Sequence, residues 1–324
     1  MSGYALEGEY MAAPTQDRLA QILAIKQRAG RHSRVPSHWD LERLREIWEK
    51  QLIGIEPIDE LLPIRIVTLL EVFLRHWIEV LVDHGAPYVE RAAKLKVELK
   101  YDFAVAASVQ GGAVTLGQLI SHSVPLSRMD TIAAVFEKLL DQDLFEAVAL
   151  AVRQRARETE ADDAKPIIQD VDAVRRTLAR LFEVRHVLVH EFPESKPHGV
   201  EEVSQFFRAG IEFMEAVNEE LSDRVHGRWP STQQGMNREA AARAQAAAEE
   251  LQKLCDEIAD KRKDSIHAVQ QAWEAFKQVE AERQSDWSAG GSIRPLLFHL
   301  AAAGLTRARM KELREWWDES DIEW

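Results

Sequence analysis

An apolar stripe with steps of three and four runs through Val171, Val174, Leu178 and Leu181 and continues through Arg185 to Leu188. That spacing belongs to one face of an α-helix packed against other helices, and it constrains the fold more than any other feature. The same face carries an arginine, and a guanidinium withdrawn from water must be paired or hydrogen-bonded. Something anionic, or the polar surface of a partner subunit, is expected to meet Arg185. His186 and His190 stand four apart and so share an adjoining face. The helix closes on Arg185-His186-Val187-Leu188-Val189-His190, just before Pro193. One arginine and two histidines at such an end suit the handling of a phosphate.

Helical periodicity covers nearly the whole chain. It predicts helices at about 15–30, 38–53, 58–84, 86–108, 128–157, 168–191 and 199–225. Ser37 with Asp40 and Ser127 with Asp130 read as helix-start caps, in which a hydroxyl satisfies free N–H groups and an acid favours the positive end of the dipole. Gly111 to Gly117 reads as a break with room for a short extended excursion, and the acidic stretch Glu158 to Asp163 as a solvated turn. Gly227 to Gly235, punctuated by Gly and Pro, reads as a linker. An alanine-rich, helix-favouring run follows from Arg238, with Leu251, Leu254, Ile258, Ile266, Val269, Trp273 and Phe276 as its stripe. Ala289-Gly290-Gly291 breaks it, and Ser292 then caps a second helix with Pro295 in the first turn. The expected fold is all-α: a helical extension at 1–35, a bundle at 36–226 with an inserted helical segment at 86–157, a linker at 227–237, and a helical hairpin at 238–324.

Composition narrows the function classes. With 324 residues, 46% of them hydrophobic, the chain can build a full core. A net charge of −13 argues against non-specific coating of nucleic acid but allows a local site for one phosphate. The most apolar stretch, Ile58 to Val82, contains Asp59, Glu60, Arg65, Glu71, Arg75 and Glu79, too many ionisable groups for a membrane span. The amino terminus shows no cationic segment followed by an apolar run, and the single cysteine, Cys255, forms no internal disulfide. A soluble cytoplasmic protein without membrane or cofactor partners is expected. Gly111-Gly112 and Gly290-Gly291 read as turns rather than nucleotide loops. His186 and His190 also have the spacing of helical metal ligands, with Glu183 and Glu191 the candidates for a third.

The Arg185-His186-x-x-x-His190 motif, on the penultimate helix of the bundle and followed by a further amphipathic helix, resembles the HEPN superfamily. That resemblance implies a helical bundle that commonly dimerises and, in many members, a metal-independent endoribonuclease. RNA carries its own nucleophile, the 2′-hydroxyl. Cleavage then needs a group to take the 2′ proton, a group to protonate the leaving 5′ oxygen, and a cation for the charged phosphorane. His190 is expected as acid/base and Arg185 as phosphate clamp, with His186 positioning water or substrate or supporting the acid/base step. A homodimer would bring two such helices to one composite cleft. The expected partners are RNA, single-stranded or tRNA, and a second copy of the chain, in a toxin or antiviral defence role. Glu71 is a candidate to pair with Arg185. Arg75-His76 reads either as a second polar group in the cleft or as an ordinary solvated face. Where one toxin group of the family carries a modified tyrosine, this chain has Phe192, so that regulation is not carried over.

The carboxy-terminal segment resembles the LprI-type lysozyme-inhibitor domain. The resemblance rests on Gln271-Ala272-Trp273, Phe276, Glu280, Gly290-Gly291-Ser292-Ile293, Pro295-Leu296, Leu305-Thr306-Arg307, Arg309 and Glu312-Leu313. Secreted members usually carry cysteines at the positions aligned with Ala281 and Ala301. The expected use of this domain is recognition, of an antitoxin or another protein, with Trp316-Trp317 either a partner anchor or packed on Trp273. Two other functions stand beside the ribonuclease: a non-catalytic HEPN dimer that binds RNA, nucleotide or protein, and a lysozyme-inhibitor-like binding protein.

Overall fold

A computed structural model describes residues 15–29, 35–97, 102–154, 165–191, 193–230, 232–262 and 266–320. Among them the chain is helical throughout and forms no strand, as the periodicity predicts. It divides into two compact units, Met1–Gly227 and Arg228–Trp324.

The first unit contains α1 (Thr15–Ala29), α2 (His38–Gln51), α3 (Glu56–His84), α4 (Tyr88–Ala92), α5 (Phe103–Gln110), α6 (Leu116–Ser121), α7 (Met129–Leu140), α8 (Leu144–Val148), α9 (Val171–His190) and α10 (Val200–His226). Polar residues set several starts. The Ser37 N–H donates to the Asp40 carboxylate at 2.9 Å, closing a capping box at α2. Asp170 accepts from the Ala173 N–H at 2.9 Å and opens α9. The expected Ser127 cap does not form. Arg128 occupies that position, and Asp130 pairs with it at 3.3 Å.

The long helix α3 packs against α2, α9 and α10. Between them Trp48, Ile66, Leu74, Phe206, Phe207 and Phe213 are wholly buried. Removing such side chains from water stabilises the fold by about 1.5–3 kcal/mol each. Trp48 lies 5.6 Å from Phe207, and its indole N–H donates to Asp59 at 2.8 Å, which gives the buried carboxylate a partner.

The stretch expected as two long helices, 86–108 and 128–157, is instead a run of short ones. Asp141 takes a left-handed conformation, φ 61°, and ends α7. Asp143 accepts from the N–H groups of Phe145 and Glu146 and starts α8. Arg91 of α4 donates to the carbonyls of Leu139 and Leu140 at 3.2 and 3.0 Å, satisfying the open end of α7. Tyr88, Phe136 and Phe145 join the same core as Trp48, so this segment is built into the bundle. No extended excursion occurs at 111–117: turns lead straight into α6. The Gly117 N–H donates to Asp83 at 2.8 Å, and a Cβ there would stand 2.5 Å from the Glu79 carbonyl oxygen. Helix α6 can reach α3 only through a glycine. On its other side α1 seats Leu19 and Ile22 against Val105, Val114 and Leu119. The acidic stretch at 158–163 lies outside the described residues.

The second unit has three helices where the stripe predicts a two-helix hairpin: α11 (Gln233–Arg262), α12 (Ile266–Ser285) and α13 (Arg294–Ser320), with a 3-10 turn at Asp286–Ser288. Both α11 and α12 pack on α13 around Leu251, Cys255, Ile258, Ile266, Met310 and Leu313. The supposed continuous stripe ends because Val269 and Phe276 face solvent. Residues 233–237, expected as linker, form the first turn of α11, where the Gly235 N–H donates to the Thr232 hydroxyl at 3.0 Å. Ser292 stands one residue short of the expected cap; its carbonyl accepts from Asn237 at 3.3 Å, and Pro295 lies in the first turn of α13. Among the described residues no helix is long and apolar enough to cross a membrane.

Candidate functional site

Helix α9 buries Val174, Leu178, Leu181, Phe182 and Val184, so the predicted stripe does face the core. Arg185 continues it half-buried, beside the partly buried Leu188. His186 and His190 face solvent on the adjoining side, their rings 4.8 Å apart and tilted by 48°. The structure therefore brings the three predicted residues to one end of one helix, an arginine set inward and two imidazoles set outward.

The charge beside Arg185 comes from α3. Burial pushes the Glu71 carboxyl above its ordinary value, against the opposing pull of Arg185 and then Arg75. The expected pairing of Glu71 with Arg185 is thus an interaction through space, with no shared hydrogen bond or ion pair among the described residues. Arg75 is not an ordinary solvated residue. It is half-buried, its Nε donates to the Ser121 carbonyl at 3.3 Å, and burial lowers its basicity while Glu71 opposes that shift. His122, next in the chain, is pushed down to about 4 by burial and secondly by Arg75, so it is neutral near pH 7. His76 is also lowered by burial. In the sequence Glu71 and Arg75 stand four apart among the ionisable residues of a mostly apolar helix that also carries Asp59, Glu60, Arg65 and Glu79. Nothing in the local pattern pointed to His122.

The connection after His190 is pinned. Arg180 donates to Glu202 at 2.9 Å and to the Pro197 carbonyl at 2.6 Å. His198 is buried, with neither ring nitrogen bonded among the described residues, and burial lowers its pKa. Phe192 lies outside the described residues. No three metal-ligating side chains gather among the described residues, so Glu183 and Glu191 do not complete a metal set with the two histidines.

In the second unit a groove of about 510 Å³ runs between the helices, bordered by Ala241, Ala244, Ala248, Lys277, Phe298 and Thr306. The small side chains of α11 open it, while the Thr306 hydroxyl is spent on the Ala302 carbonyl at 2.8 Å. Outside it Val269, Phe276, Val279 and Trp287 are exposed. Trp273 is half-buried with the Lys277 ammonium 5.2 Å from its ring centroid, and Trp316 is 42% exposed. Ala281 is fully buried, and Cys255 is a core residue whose thiol burial pushes up.

Residues 229–313 match the family model described as lysozyme inhibitor LprI. The match covers the greater part of the three-helix unit and includes Trp273, Gly290, Thr306 and Leu313. No curated protein and no solved structure matches the chain.

Proposed function

We propose that the first unit is a HEPN-type, metal-independent endoribonuclease acting through a composite site in a homodimer. The observation that carries this reading is the half-buried Arg185 beside the exposed, neighbouring rings of His186 and His190 at the end of α9. His190 of one subunit takes the proton from a 2′-hydroxyl, whose oxygen bonds to phosphorus. The P–O5′ bond breaks, and an imidazole across the cleft returns a proton to the 5′ oxygen. Arg185 neutralises the phosphorane oxygens meanwhile. The products are a 2′,3′-cyclic phosphate and a 5′-hydroxyl. Both histidines being solvent-exposed supports this, since a substrate must reach them before a partner helix closes the cleft. The biological setting proposed is a cytoplasmic toxin or antiviral defence protein.

Incubation with single-stranded RNA or tRNA in EDTA should yield cyclic phosphate ends. His190→Ala should slow cleavage by ~100-fold or more, on the usual scale of acid–base loss. Equal cleavage by the variant overturns the assignment, and absence of cleavage by the parent protein leaves only a binding role for the bundle.

A second reading has its own support. The family match at 229–313, with Phe276, Val279 and Trp287 exposed on the same unit, favours a protein-binding module at the carboxy-terminal end. Capture of a purified glycan hydrolase such as lysozyme by the full chain, lost on Phe276→Asp, would support inhibitor-like binding. No capture would leave the module a different protein partner.

A further inference from the structure

Helix α12 is apolar on two opposite faces. Ile266, Gln270 and Ala281 are buried toward the core of the second unit, with Trp273 half-buried beside them. Opposite them Val269, Ala272, Phe276 and Val279 all stand exposed, the three large side chains at 55–66%. Steps of three, four and three put these four on one line along the helix. A scattered apolar residue in water needs no explanation, but an unbroken seam of this spacing is the pattern of a helix that meets another helix. The inward face is the less apolar of the two, since Gln270 is buried there with its side-chain oxygen unbonded among the described residues.

Charge narrows what can cover the seam. The chain carries −13 and repels its own copy over most of its surface. From Ile266 to Val279, however, the only carboxylate and ammonium belong to Glu274 and Lys277, which lie off the seam and pair with each other. Ala268, Gln271, Ala275 and Gln278 flank the seam on one side, all exposed and uncharged, and Trp273 flanks it on the other. It ends where Glu280 and Arg283 bond to each other at 2.6 and 2.7 Å. A partner steered by charge finds little to hold here, whereas a like apolar face meets no repulsion. The order of side chains also fits its own reverse. Two copies of α12 laid antiparallel about a two-fold axis level with Glu274 set Val269 against the partner's Val279 and Ala272 against the partner's Phe276. Each ring then covers the small side chain of the other copy, the large-on-small fit that close helix packing needs.

We propose that the outer face of α12 is a self-association surface, on which a second copy of this chain packs its own α12 antiparallel. This deepens the protein-binding reading of the second unit by naming the partner, and it is independent of the ribonuclease reading. The contact from Val269 to Val279 is about 15 Å long at 1.5 Å per residue. With one aromatic ring per copy, it falls at or below the low end of specific interfaces, ~1,200 Å² in total. The pairing is therefore weak, with a dissociation constant on the order of 10–100 µM, and at sub-micromolar concentration the face is in water.

The test uses the full chain in sedimentation equilibrium from 1 to several hundred micromolar, together with a short bismaleimide crosslinker. Phe276→Asp should weaken the association ~10-fold or more, because it sets a carboxylate from each copy in the apolar seam. Ala272→Phe should weaken it as well, by overfilling the space under the partner's ring, and adding Phe276→Ala to that variant should restore it. A merely sticky patch would behave in the opposite way and associate more strongly with the extra phenylalanine. Ala275→Cys, level with the axis, should crosslink to its own counterpart, while Val269→Cys, about 15 Å along the helix from its counterpart, should not. The native Cys255 is buried and supplies the background. These positions are exposed, so the variants keep the parent's helical circular-dichroism signal. A chain in which Phe276→Asp leaves association unchanged, a parent that is monomeric throughout, or a crosslink at Val269→Cys overturns the proposal. Monomeric chain that captures lysozyme through Phe276 removes the self-pairing and retains the inhibitor-like module. Crosslinking at Ala275→Cys without capture of lysozyme retains the self-pairing and removes inhibitor-like binding.

Discussion

The two units bury different kinds of surface. The first is centred on Trp48, Phe136, Phe145, Phe206, Phe207 and Phe213, all wholly or nearly wholly buried. The second has a core cluster of Leu251, Cys255, Ile258, Ile266, Met310 and Leu313, with no buried aromatic ring among the described residues, and its large apolar side chains Phe276, Val279 and Trp287 face outward. A core of interlocking rings can carry the cost of holding charged groups half-buried, as at Glu71, Arg75 and Arg185. The second unit also holds charged groups half-buried, at Arg243, Arg294 and Arg309, each beside a carboxylate, and it presents apolar side chains to water as well.

The largest expected effect that would break this contrast is in the aromatic core. Phe213→Ala should cost ~3–5 kcal/mol in the unfolding transition of the first unit and leave that of the second unmoved. Chemical denaturation followed by separate probes for the two units checks it, and a shared shift would mean that the units unfold as one. Gly117→Ala should cost ~1–3 kcal/mol, since the added methyl meets the Glu79 carbonyl oxygen, and the same denaturation series would show it.

A smaller effect is expected from pH. The folded pKa of His122 lies near 4, below its ordinary value of 6.5, so the unfolded chain binds the proton more readily. Its contribution to stability is fully present above about pH 6.5 and is lost progressively as pH falls toward 4. The denaturation midpoint should decline over that window, and His122→Gln should make the decline shallower, leaving the part due to His76 and His198, which shift in the same direction. The smallest effect sharpens the comparison from the other side. Val279→Ser should change stability by no more than ~0.5 kcal/mol, because that side chain is already in water.

The sequence was most informative where one residue's chemistry decided the local structure. The cap of Ser37 with Asp40 and the stripe from Val171 to Leu188 located α2 and α9, and the arginine on that stripe is half-buried as its position required. Less was legible where tertiary contacts decide. Asp141 adopts a left-handed conformation that no propensity announces, so the helix expected to 157 stops at Leu140. Alanines carry no phase, so the fold-back of α11 and α12 onto α13 was invisible in a stripe that looked continuous. Ser121 reaches Arg75 through a backbone carbonyl, and a carbonyl has no signature in sequence at all.

Arg91, which ties α4 to the end of α7, has a consequence for the modularity of the chain. The stretch from 86 to 148 cannot be excised to leave a smaller bundle, because the long helices would lose the faces that Tyr88, Phe136 and Phe145 cover. Amides in α7 should therefore exchange with solvent through the same opening event that exposes α9, the long helix on which α7 packs.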